Sequence, residues 1–373
     1  MPEHKILLLA SYRRGGVENF CRMLMNHLCS DFYADLLTVA NQPGKNLIVK
    51  FLDVIHTVYR LIKQLKTGSY DIIHINPPFK IKSLLRDSFY LWIINTLGYR
   101  NQTVVFFHGW DGNLAEKIIR RPFYKRRFSN LYREVAVIFV LYKHCKKQLV
   151  NMGIEPQKIK VTTTMYERID GIEKKWNHQT NEKMNLLFMA TFIEGKGVLT
   201  AVKVAKLLSE NGYDNFHLTL AGEGPLLLPL KQFIEENELS QYVDIPGYVK
   251  DRQKEEILKK NDIFLFPTQL PEGCPTVIIE AMGAGMAIVS TAKGAIPSLV
   301  KPRENGFICD GQDADAFYKA VKELLDNREL LDQMQKANKK KAEENYEAKD
   351  CTSRVEKIYS SIINQSKLCA DRW

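Results

Sequence analysis

The chain lacks the features typical of secreted, zinc-binding and membrane-spanning proteins. Its seven cysteines are odd in number and include no Cys-x-x-Cys pair, which argues against a disulfide framework and a zinc site and favours a reducing cytoplasm. The longest apolar runs, around residues 89–97 and 135–142, are much shorter than the ~20 residues needed to cross a bilayer. The apolar segment 6–10 is only strand-length, so no signal peptide is expected. We therefore expect a cytoplasmic protein, with any membrane contact peripheral and at the inner face of the cell membrane.

Acidic residues are scarce in the first half of the chain. Residues 1–180 contain 28 Lys+Arg against 14 Asp+Glu, a formal charge of +14, whereas the remainder carries −4. A basic half is typical of proteins that meet a polyanion, such as an anionic membrane surface, a phosphorylated substrate or a nucleic acid. The alternative is a basic solvated surface without a partner.

Short β-branched runs alternate with longer amphipathic stretches, and this pattern occurs twice. It is typical of βαβ units and a parallel sheet, and 373 residues exceed what one hydrophobic core usually serves. The predicted fold class is therefore α/β, with two Rossmann-like, doubly wound parallel-sheet domains, residues 1–178 and 184–349, and a cleft between them. The polar stretch 176–183 is the expected linker. The last helix, within 350–373, is expected to return to the first domain. Strands are expected near residues 5–10, 71–75, 103–107, 135–141 and 158–161, and then near 185–190, 217–221, 243–245, 263–266 and 287–290.

A glycine pair follows the first predicted strand and opens the first helix. Gly15 and Gly16 let the backbone approach a phosphate or sugar closely, beside the amides of a helix N-terminus. Arg13 and Arg14 precede the pair and are candidate acceptor contacts. A tight strand-to-helix turn is the structural alternative for the two glycines.

Two histidines lie at the ends of predicted strands. His74 and His108 should face the cleft at the carboxyl edge of the first sheet. His108 is followed by a glycine, Trp110 and Asp111, which place an aromatic surface beside a ring that can donate a hydrogen bond to a sugar hydroxyl. His74, Trp110 and Asp111 are candidate acceptor contacts, and a purely structural role is the alternative for each histidine.

Three turns in the second half also follow strands. Lys196 lies between two glycines at a helix N-terminus, where its charge can neutralise a diphosphate. Gly222 belongs to a second glycine turn, and the loop that contains Tyr248 is expected to contact the nucleotide base through its backbone. For Lys196 the alternative is a loop lysine that points to water.

The strongest signal is the segment 271–283. Pro275 begins a helix, so the amides of Thr276 and Val277 should point outward toward an anion. Glu280 shares a helix face with Thr276 and lies where a ribose would bind, while Glu272 precedes the helix and can accept hydrogen bonds from sugar hydroxyls.

These motifs together resemble the signature of a large family of retaining glycosyltransferases, family four or the group 1 glycosyl transferases, which have two Rossmann-like domains in the GT-B arrangement. The resemblance covers nearly the whole chain and is closest to members that build bacterial polysaccharides and glycolipids. The matching residues, in chain order, are 15–18, His74, His108, 196–197, 222–225, 272–285 and 306–307.

The resemblance implies transfer of a hexose or N-acetylhexosamine from a nucleoside-diphosphate sugar, such as a UDP- or GDP-sugar, to a lipid-linked or saccharide acceptor. It implies retention at the anomeric carbon, no metal and no cofactor. Lys196, Glu272 and His108 would be the catalytic residues. The donor would be bound by Gly15, Gly16, Lys196, Gly222, Tyr248, Glu272, Gly273, Cys274, Pro275, Thr276, Val277 and Glu280.

The chain departs from the family pattern in the diphosphate loop. Thr191 stands where family members usually carry an arginine, and Arg13, Arg14 and Arg252 are the candidates to supply the missing charge. The sequence Asp313-Ala314-Asp315 matches the Asp-x-Asp pattern of a metal-binding motif, but it is better explained as the cap and first turn of a following helix.

Other functions stay open at this point. A nucleotide-sugar epimerase would share the architecture but release its products without an acceptor, and a catalytically silent member would only bind sugar. A nucleic-acid-binding protein would explain the basic half, but no RNA-recognition or zinc-finger motif is present. The basic and aromatic segment 117–133 instead suits an amphipathic segment on anionic lipid, and a solvated helix face is the alternative.

Overall fold

The structure is a computed structural model, and it describes residues 2–11, 16–39, 46–171, 183–311 and 313–370. Of the predicted linker 176–183, every residue except Lys183 lies outside these ranges. The chain divides into two units, residues 1–165 with 348–373 and residues 166–347. The boundary after residue 165 precedes the predicted linker, and the terminal helix belongs to the first unit.

The elements alternate between strands and helices along the chain. The strands are β1 (His4–Ser11), β2 (Phe32–Val39), β3 (Ile72–Asn76), β4 (Pro78–Phe79), β5 (Thr103–Phe107), β6 (Gly109–Trp110), β7 (Val137–Val140), β8 (Ile159–Val161), β9 (Met184–Met189), β10 (Phe216–Ala221), β11 (Val243–Gly247), β12 (Ile263–Phe266), β13 (Ala287–Thr291) and β14 (Gly306–Cys309). The helices are α1 (Gly16–His27), α2 (Leu47–Thr67), α3 (Ile81–Thr96), α4 (Gly112–Arg120), α5 (Pro122–Tyr132), α6 (Lys143–Asn151), α7 (Val198–Glu210), α8 (Leu227–Glu236), α9 (Asp251–Lys260), α10 (Thr276–Gly283), α11 (Ile296–Leu299), α12 (Ala314–Asp326), α13 (Arg328–Asn345) and α14 (Ala348–Ala370).

Each unit is built on a six-stranded sheet. The orders are β2-β1-β3-β5-β7-β8 in the first unit and β11-β10-β9-β12-β13-β14 in the second, and every pair of neighbours is parallel. The central strands β3, β5 and β12 are buried along their whole length, as expected where helices cover both faces of a parallel sheet. The α/β fold class with two parallel-sheet units confirms the prediction.

Helices α2, α3, α5 and α6 share one hydrophobic core on one face of the first sheet. Leu61, Tyr90, Phe128 and Leu149 from these helices belong to the same buried cluster as Phe107 of β5. On the opposite face, Phe20 of α1 and Tyr359 of α14 contact the ring of His74 in β3. Parallel strands joined by helical crossovers produce such a layered unit, with the loops that follow the strands at one edge.

Candidate active site

Four of the predicted site loops lie at the carboxyl edge of the second sheet. Lys196 follows β9, Gly222 follows β10, Tyr248 follows β11 and Glu272 follows β12. Because parallel strands end at the same edge, these loops converge there, which is the usual place for a ligand in a doubly wound fold. That these loops bind one donor molecule stays a prediction, and the structure shows how their side chains and backbone are arranged.

The loop around Lys196 is shaped by glycines in the left-handed backbone region. Gly195 and Gly197 have φ of +82° and +85°, and a β-carbon on Gly197 would overlap with the backbone carbonyl of Pro267. Gly197 is also the N-cap of α7. A tight turn that only glycine adopts at low cost therefore places Lys196 at the start of a helix, beside the β12 loop.

An ion pair joins the two residues to which the sequence assigned the diphosphate and the sugar. The Nζ of Lys196 lies 2.7 Å from Oε1 of Glu272, and the hydroxyl of Thr268 donates to the same oxygen at 2.8 Å. The Lys196 and Glu272 side chains are 22% and 12% exposed, so the pair is partly shielded from water but can be reached by a ligand. The ring of Phe266 packs near the ammonium, 5.5 Å from Nζ to the ring centroid.

Helix α10 presents its amino end next to Glu272. Its N-cap, Pro275, makes no side-chain capping hydrogen bond, and the first intrahelical donor to the Pro275 carbonyl is Ile278, at 3.0 Å. The amides of Thr276 and Val277 precede that bond, and first-turn amides have no partner within their own helix. The helix dipole adds a partial positive charge there. This end of α10 is suited to an anion.

The backbone of Glu272 is held by a loop that the sequence analysis did not single out. The amide of Ala295 donates to the Glu272 carbonyl at 2.9 Å. A β-carbon on Gly294, whose φ is +58°, would overlap with that same carbonyl. A Gly-Ala pair after a strand was the only available signal, and it is too common to identify a site by itself.

Glu280 is held by a lysine that the sequence analysis did not assign to the site. The Nζ of Lys254, on α9, lies 2.7 Å from Oε1 of Glu280 on α10. The Glu280 side chain is 12% exposed and that of Lys254 is 29% exposed. No spacing rule could have indicated this pair, because it depends on how two separate helices pack.

The remaining donor-site candidates of the second unit surround these pairs. The amide of Gly222 donates to the Gly247 carbonyl at 2.8 Å, and the carboxylate of Glu223 accepts from the amide of Tyr248 at 3.4 Å. Tyr248 is 57% exposed. Cys274 is buried, and Gly273 is half-buried in the loop before α10.

Thr191 is exposed just after β9, and Arg252, one candidate to supply the missing charge, has a partner on its own helix. Arg252 is 92% exposed and pairs with Glu256 on its own helix, with 3.1 Å between Nε and Oε1. Arg13, Arg14 and Gly15 lie outside the described residues. Asp313 caps α12 by accepting from the Asp315 amide at 3.0 Å, as the sequence indicated.

In the first unit, His108 follows β5 and is half-buried between aromatic rings. Its ring lies 3.9 Å from that of Phe106 and 4.8 Å from that of Phe20, between centroids. Burial, with a smaller contribution from His74, lowers the pKa of His108 to about 3, so the ring is neutral near pH 7.

A hydrogen-bond network selects the tautomer of His108. The amide nitrogen of Asn76 donates to the carbonyls of Leu9 and His74, both at 3.3 Å. Its Oδ1 therefore faces Nε2 of His108 at 2.9 Å, and Nε2 carries the proton. The sequence predicted that the N–H of His108 donates to a sugar hydroxyl, but this N–H donates to Asn76 instead. The other nitrogen of the neutral ring, Nδ1, can only accept a hydrogen bond.

The predicted acceptor contacts of the first unit have internal partners in the structure. His74 is fully buried, and its Nδ1 lies 2.5 Å from the Tyr359 hydroxyl. Trp110 is 6% exposed and donates from Nε1 to Gln148 at 2.6 Å. Asp111 is the N-cap of α4 and accepts from the amide of Leu114. Gly16 begins α1. A contact of any of these residues with an acceptor remains a prediction.

The second unit is similar to a known protein family. Residues 170–341 match the family model described as glycosyl transferases group 1. AmsK, an amylovoran biosynthesis glycosyltransferase of Erwinia amylovora, is 26% identical over 223 residues, which cover 58% of this chain and 54% of AmsK. The chain spans between 54% and 61% of the length of the first curated relatives that it matches.

Comparison with solved structures concerns the fold of the whole chain. Sucrose-phosphate synthase from Thermosynechococcus elongatus has a TM-score of 0.75 at 14% identity, over 97% of this chain and 100% of that one. HepE of Anabaena, in complex with UDP and glucose, has a TM-score of 0.69 at 14% identity, over 96% and 100%. These likenesses confirm the predicted GT-B fold class.

Proposed function

We propose, from the match of residues 170–341 to the group 1 glycosyl transferases, that the chain transfers a sugar from a nucleoside-diphosphate donor. The sugar is a hexose or N-acetylhexosamine, and the acceptor is lipid-linked or a saccharide in the synthesis of cell-surface polysaccharide or glycolipid. AmsK is named for amylovoran biosynthesis, and HepE binds UDP and glucose. The name of AmsK supports the polysaccharide setting, and the complex of HepE supports a nucleoside-diphosphate sugar such as a UDP- or GDP-sugar as the donor.

One observation carries the proposal: a cation, two carboxylates and a helix amino end lie together at one sheet edge. Lys196 and the amides of Thr276 and Val277 can meet a diphosphate, and Glu280, one turn further along α10, is placed for the ribose. Glu272 lies at the helix entrance, where it can accept hydrogen bonds from hydroxyls of the transferred sugar.

In the reaction that we propose, charge develops on the departing diphosphate. Lys196 exchanges its contact with Glu272 for the phosphate, and the α10 amides stabilise the same charge. The leaving phosphate takes the acceptor proton on the front face, so the anomeric configuration is retained and neither a protein nucleophile, a metal nor a cofactor takes part. Neutral His108 accepts a hydrogen bond from a donor-sugar hydroxyl through Nδ1.

We propose that the protein works in the cytoplasm, with peripheral contact to the inner face of the membrane where a lipid-linked acceptor resides. The basic surplus of residues 1–180 supports contact with a polyanion rather than with a neutral surface. Retention itself is tested by the anomeric configuration of the isolated product, which nuclear magnetic resonance distinguishes from inversion.

The donor site is tested by two substitutions, after a thermal-shift screen of UDP-, GDP- and ADP-sugars has identified the donor. In Lys196→Ala, kcat/KM with that donor should fall by about 100-fold, since loss of one preorganised group at the leaving oxygen typically costs that much. In Glu280→Ala, the KM for the donor should rise because a ribose contact is lost. Wild-type kcat/KM in both variants would refute the site.

A matched control separates the site from general electrostatics. Lys206 pairs with Glu210 on α7 at 3.6 Å, and both side chains are exposed. Lys206→Ala removes a comparable cation from the same unit, so kcat/KM should stay at the wild-type value. If Lys206→Ala and Lys196→Ala lowered kcat/KM equally, the effect would be one of net charge and not of the site.

A further inference from the structure

Two helices of the first unit carry large apolar side chains on their outward faces. These side chains are each 46–72% exposed, and they are Ile48, Leu52, Ile55 and Tyr59 on α2 and Ile81, Leu85, Phe89 and Trp92 on α3. On each helix the four positions follow three- and four-residue steps, so they form one continuous stripe. A helix on the surface of a globular protein normally presents polar residues on that face.

The two stripes lie on neighbouring helices of one layer. The inward faces of α2 and α3 contribute Leu61, Leu65, Leu84 and Tyr90 to a single core, together with Phe107 of β5. Helices that cover one face of a sheet side by side are about 8–10 Å apart. Their outward stripes therefore make one apolar face of eight side chains, which we call the α2/α3 face.

Cations dominate the helices around this face. Helices α2, α3 and α5 together contain nine lysines and arginines but only two aspartates. One of these, Asp87, is buried and pairs with Arg86, 2.7 Å from Nε to Oδ1. Helix α5 shares the core of α3 through Phe128, and an open cavity of about 600 Å³ beside it is lined by Lys125, Arg126, Ser129, Asn130 and Arg133, with Pro122, Met152 and Gly153.

We propose that the α2/α3 face docks onto an anionic lipid bilayer, with its apolar side chains among the acyl chains and the α5 cations at the headgroups. Aromatic rings next to cations suit this interface, and Phe89 and Trp92 stack on each other with 5.9 Å between centroids. Among the described residues, no helix has both the length and the apolar character needed to span a bilayer.

Charge favours the bilayer over a second copy of this chain. A two-fold dimer would pair the face with itself, so the cations of α2, α3 and α5 would meet the same cations of the partner. An anionic bilayer instead neutralises them, and each basic residue near its surface adds to the attraction.

The position of the face also suits the acceptor. Helices α2 and α3 begin at the carboxyl edge of the first sheet, where His108 lies, and the α2 stripe occupies the half of that helix nearest this edge. The docked face would hold this edge close to the membrane, where a lipid-linked acceptor would be presented. This last step rests on the proposed function, whereas docking itself does not.

Vesicle co-sedimentation of the full chain tests the proposal. Vesicles of phosphatidylethanolamine with phosphatidylglycerol should bind the wild-type chain, and vesicles of phosphatidylcholine alone should bind it at least about tenfold more weakly. The double variant Leu85→Ser, Phe89→Ser should bind the anionic vesicles about tenfold or more weakly, because two apolar side chains that enter the acyl region on docking are lost. Leu228→Ser is the matched control, since Leu228 is 77% exposed on α8 of the second unit, and should bind as the wild type does.

Trp92 reports insertion directly. Its fluorescence should be quenched by brominated acyl chains, and Trp92→Phe should remove that quenching while vesicle binding persists. Wild-type chain that stays in the supernatant, a double variant that binds normally, or a concentration-dependent dimer that Leu85→Ser abolishes would each overturn the proposal. Donor binding by thermal shift is measured in parallel: if it fails while vesicles still bind, the proposed function fails and docking stands.

Discussion

Glu280 owes its position to a lysine that is 26 residues away in the chain and on a different helix. Lys254 contacts Oε1 of the carboxylate and thereby orients the group. Lys254→Ala should therefore raise the KM for the donor several-fold and leave kcat nearly unchanged. Lys254→Arg should restore most of the affinity, since a cation of similar reach remains.

Steady-state kinetics with the donor varied would show this split between KM and kcat. The control is Arg252→Ala on the same helix, since Arg252 is 92% exposed and its loss should leave both constants unchanged. A fall in kcat with an unchanged KM would show that Lys254 acts on the reaction and not on donor affinity.

His74 makes the stability of the chain depend on pH. Burial lowers its pKa to about 3, against about 6.5 in an unfolded chain. Between these values the unfolded state binds the extra proton, so the free energy of unfolding falls as the pH drops below about 6.5, by up to about 1.4 kcal/mol per pH unit. In His74→Leu this slope should become shallower, as measured by urea unfolding between pH 7 and pH 5.

A control must destabilise the same cluster without removing a proton site. Phe20 contacts the rings of His74 and His108, so Phe20→Leu should lower stability at every pH and keep the wild-type slope. An unchanged slope in His74→Leu would mean that the pKa of His74 is the same in the folded and the unfolded chain.

Among the elements, α10 depends on a close approach to a buried ring. A β-carbon on Gly283, the last residue of this helix, would overlap with the ring of Tyr166, which is 1% exposed. Gly283→Ala should therefore lower the free energy of unfolding of the second unit by about 1–3 kcal/mol, the usual cost of overpacking. Chemical denaturation would measure the loss.

The comparison variant for this substitution is Gly112→Ala. Gly112 begins α4, and no atom lies within 4 Å of a β-carbon built there, so stability should be unchanged or slightly higher because alanine favours helix. If Gly283→Ala were equally harmless, the ring of Tyr166 would have room to move, and the end of α10 would be less rigid than its packing suggests.

Elements also show how far the sequence could predict the fold. All ten predicted strands are present, because buried parallel strands give continuous apolar runs. The pattern does not predict β2 and β14, which lie at the outer ends of their sheets, nor the two-residue strands β4 and β6. Strand β2 is only partly buried, so its apolar signal is diluted by Tyr33 and Asp35.

The candidate site was predictable where local rules apply and not where packing decides. Glycine turns after strands located Lys196 and Glu272, but the contact of Glu280 with Lys254 needs the packing of α9 against α10. His74 was predicted at the end of a strand, but it is the third of the five residues of β3. Alternation turns its side chain away from the face that buries Ile73 and toward Tyr359. That tyrosine lies 285 residues later, beyond any pattern in the sequence.

At the scale of the whole molecule, the proposed membrane-binding features and the candidate donor site belong to different units. The basic surplus belongs to residues 1–180, and with it the α2/α3 face and the α5 cavity, whereas the pairs at Glu272 and Glu280 belong to the second unit. We infer that membrane binding and donor binding can be altered separately, because distant substitutions without shared partners usually have additive effects.

The return of α14 to the first unit also has a consequence for folding during synthesis. During synthesis, residues 166–347 are complete before α14 emerges from the ribosome, so the second unit can reach its native state while the first still lacks Tyr359 over His74. The first unit therefore receives its last helix only after the second unit has been synthesised. Until α14 arrives, the part of this sheet face that Tyr359 covers is a surface that nascent-chain chaperones can bind.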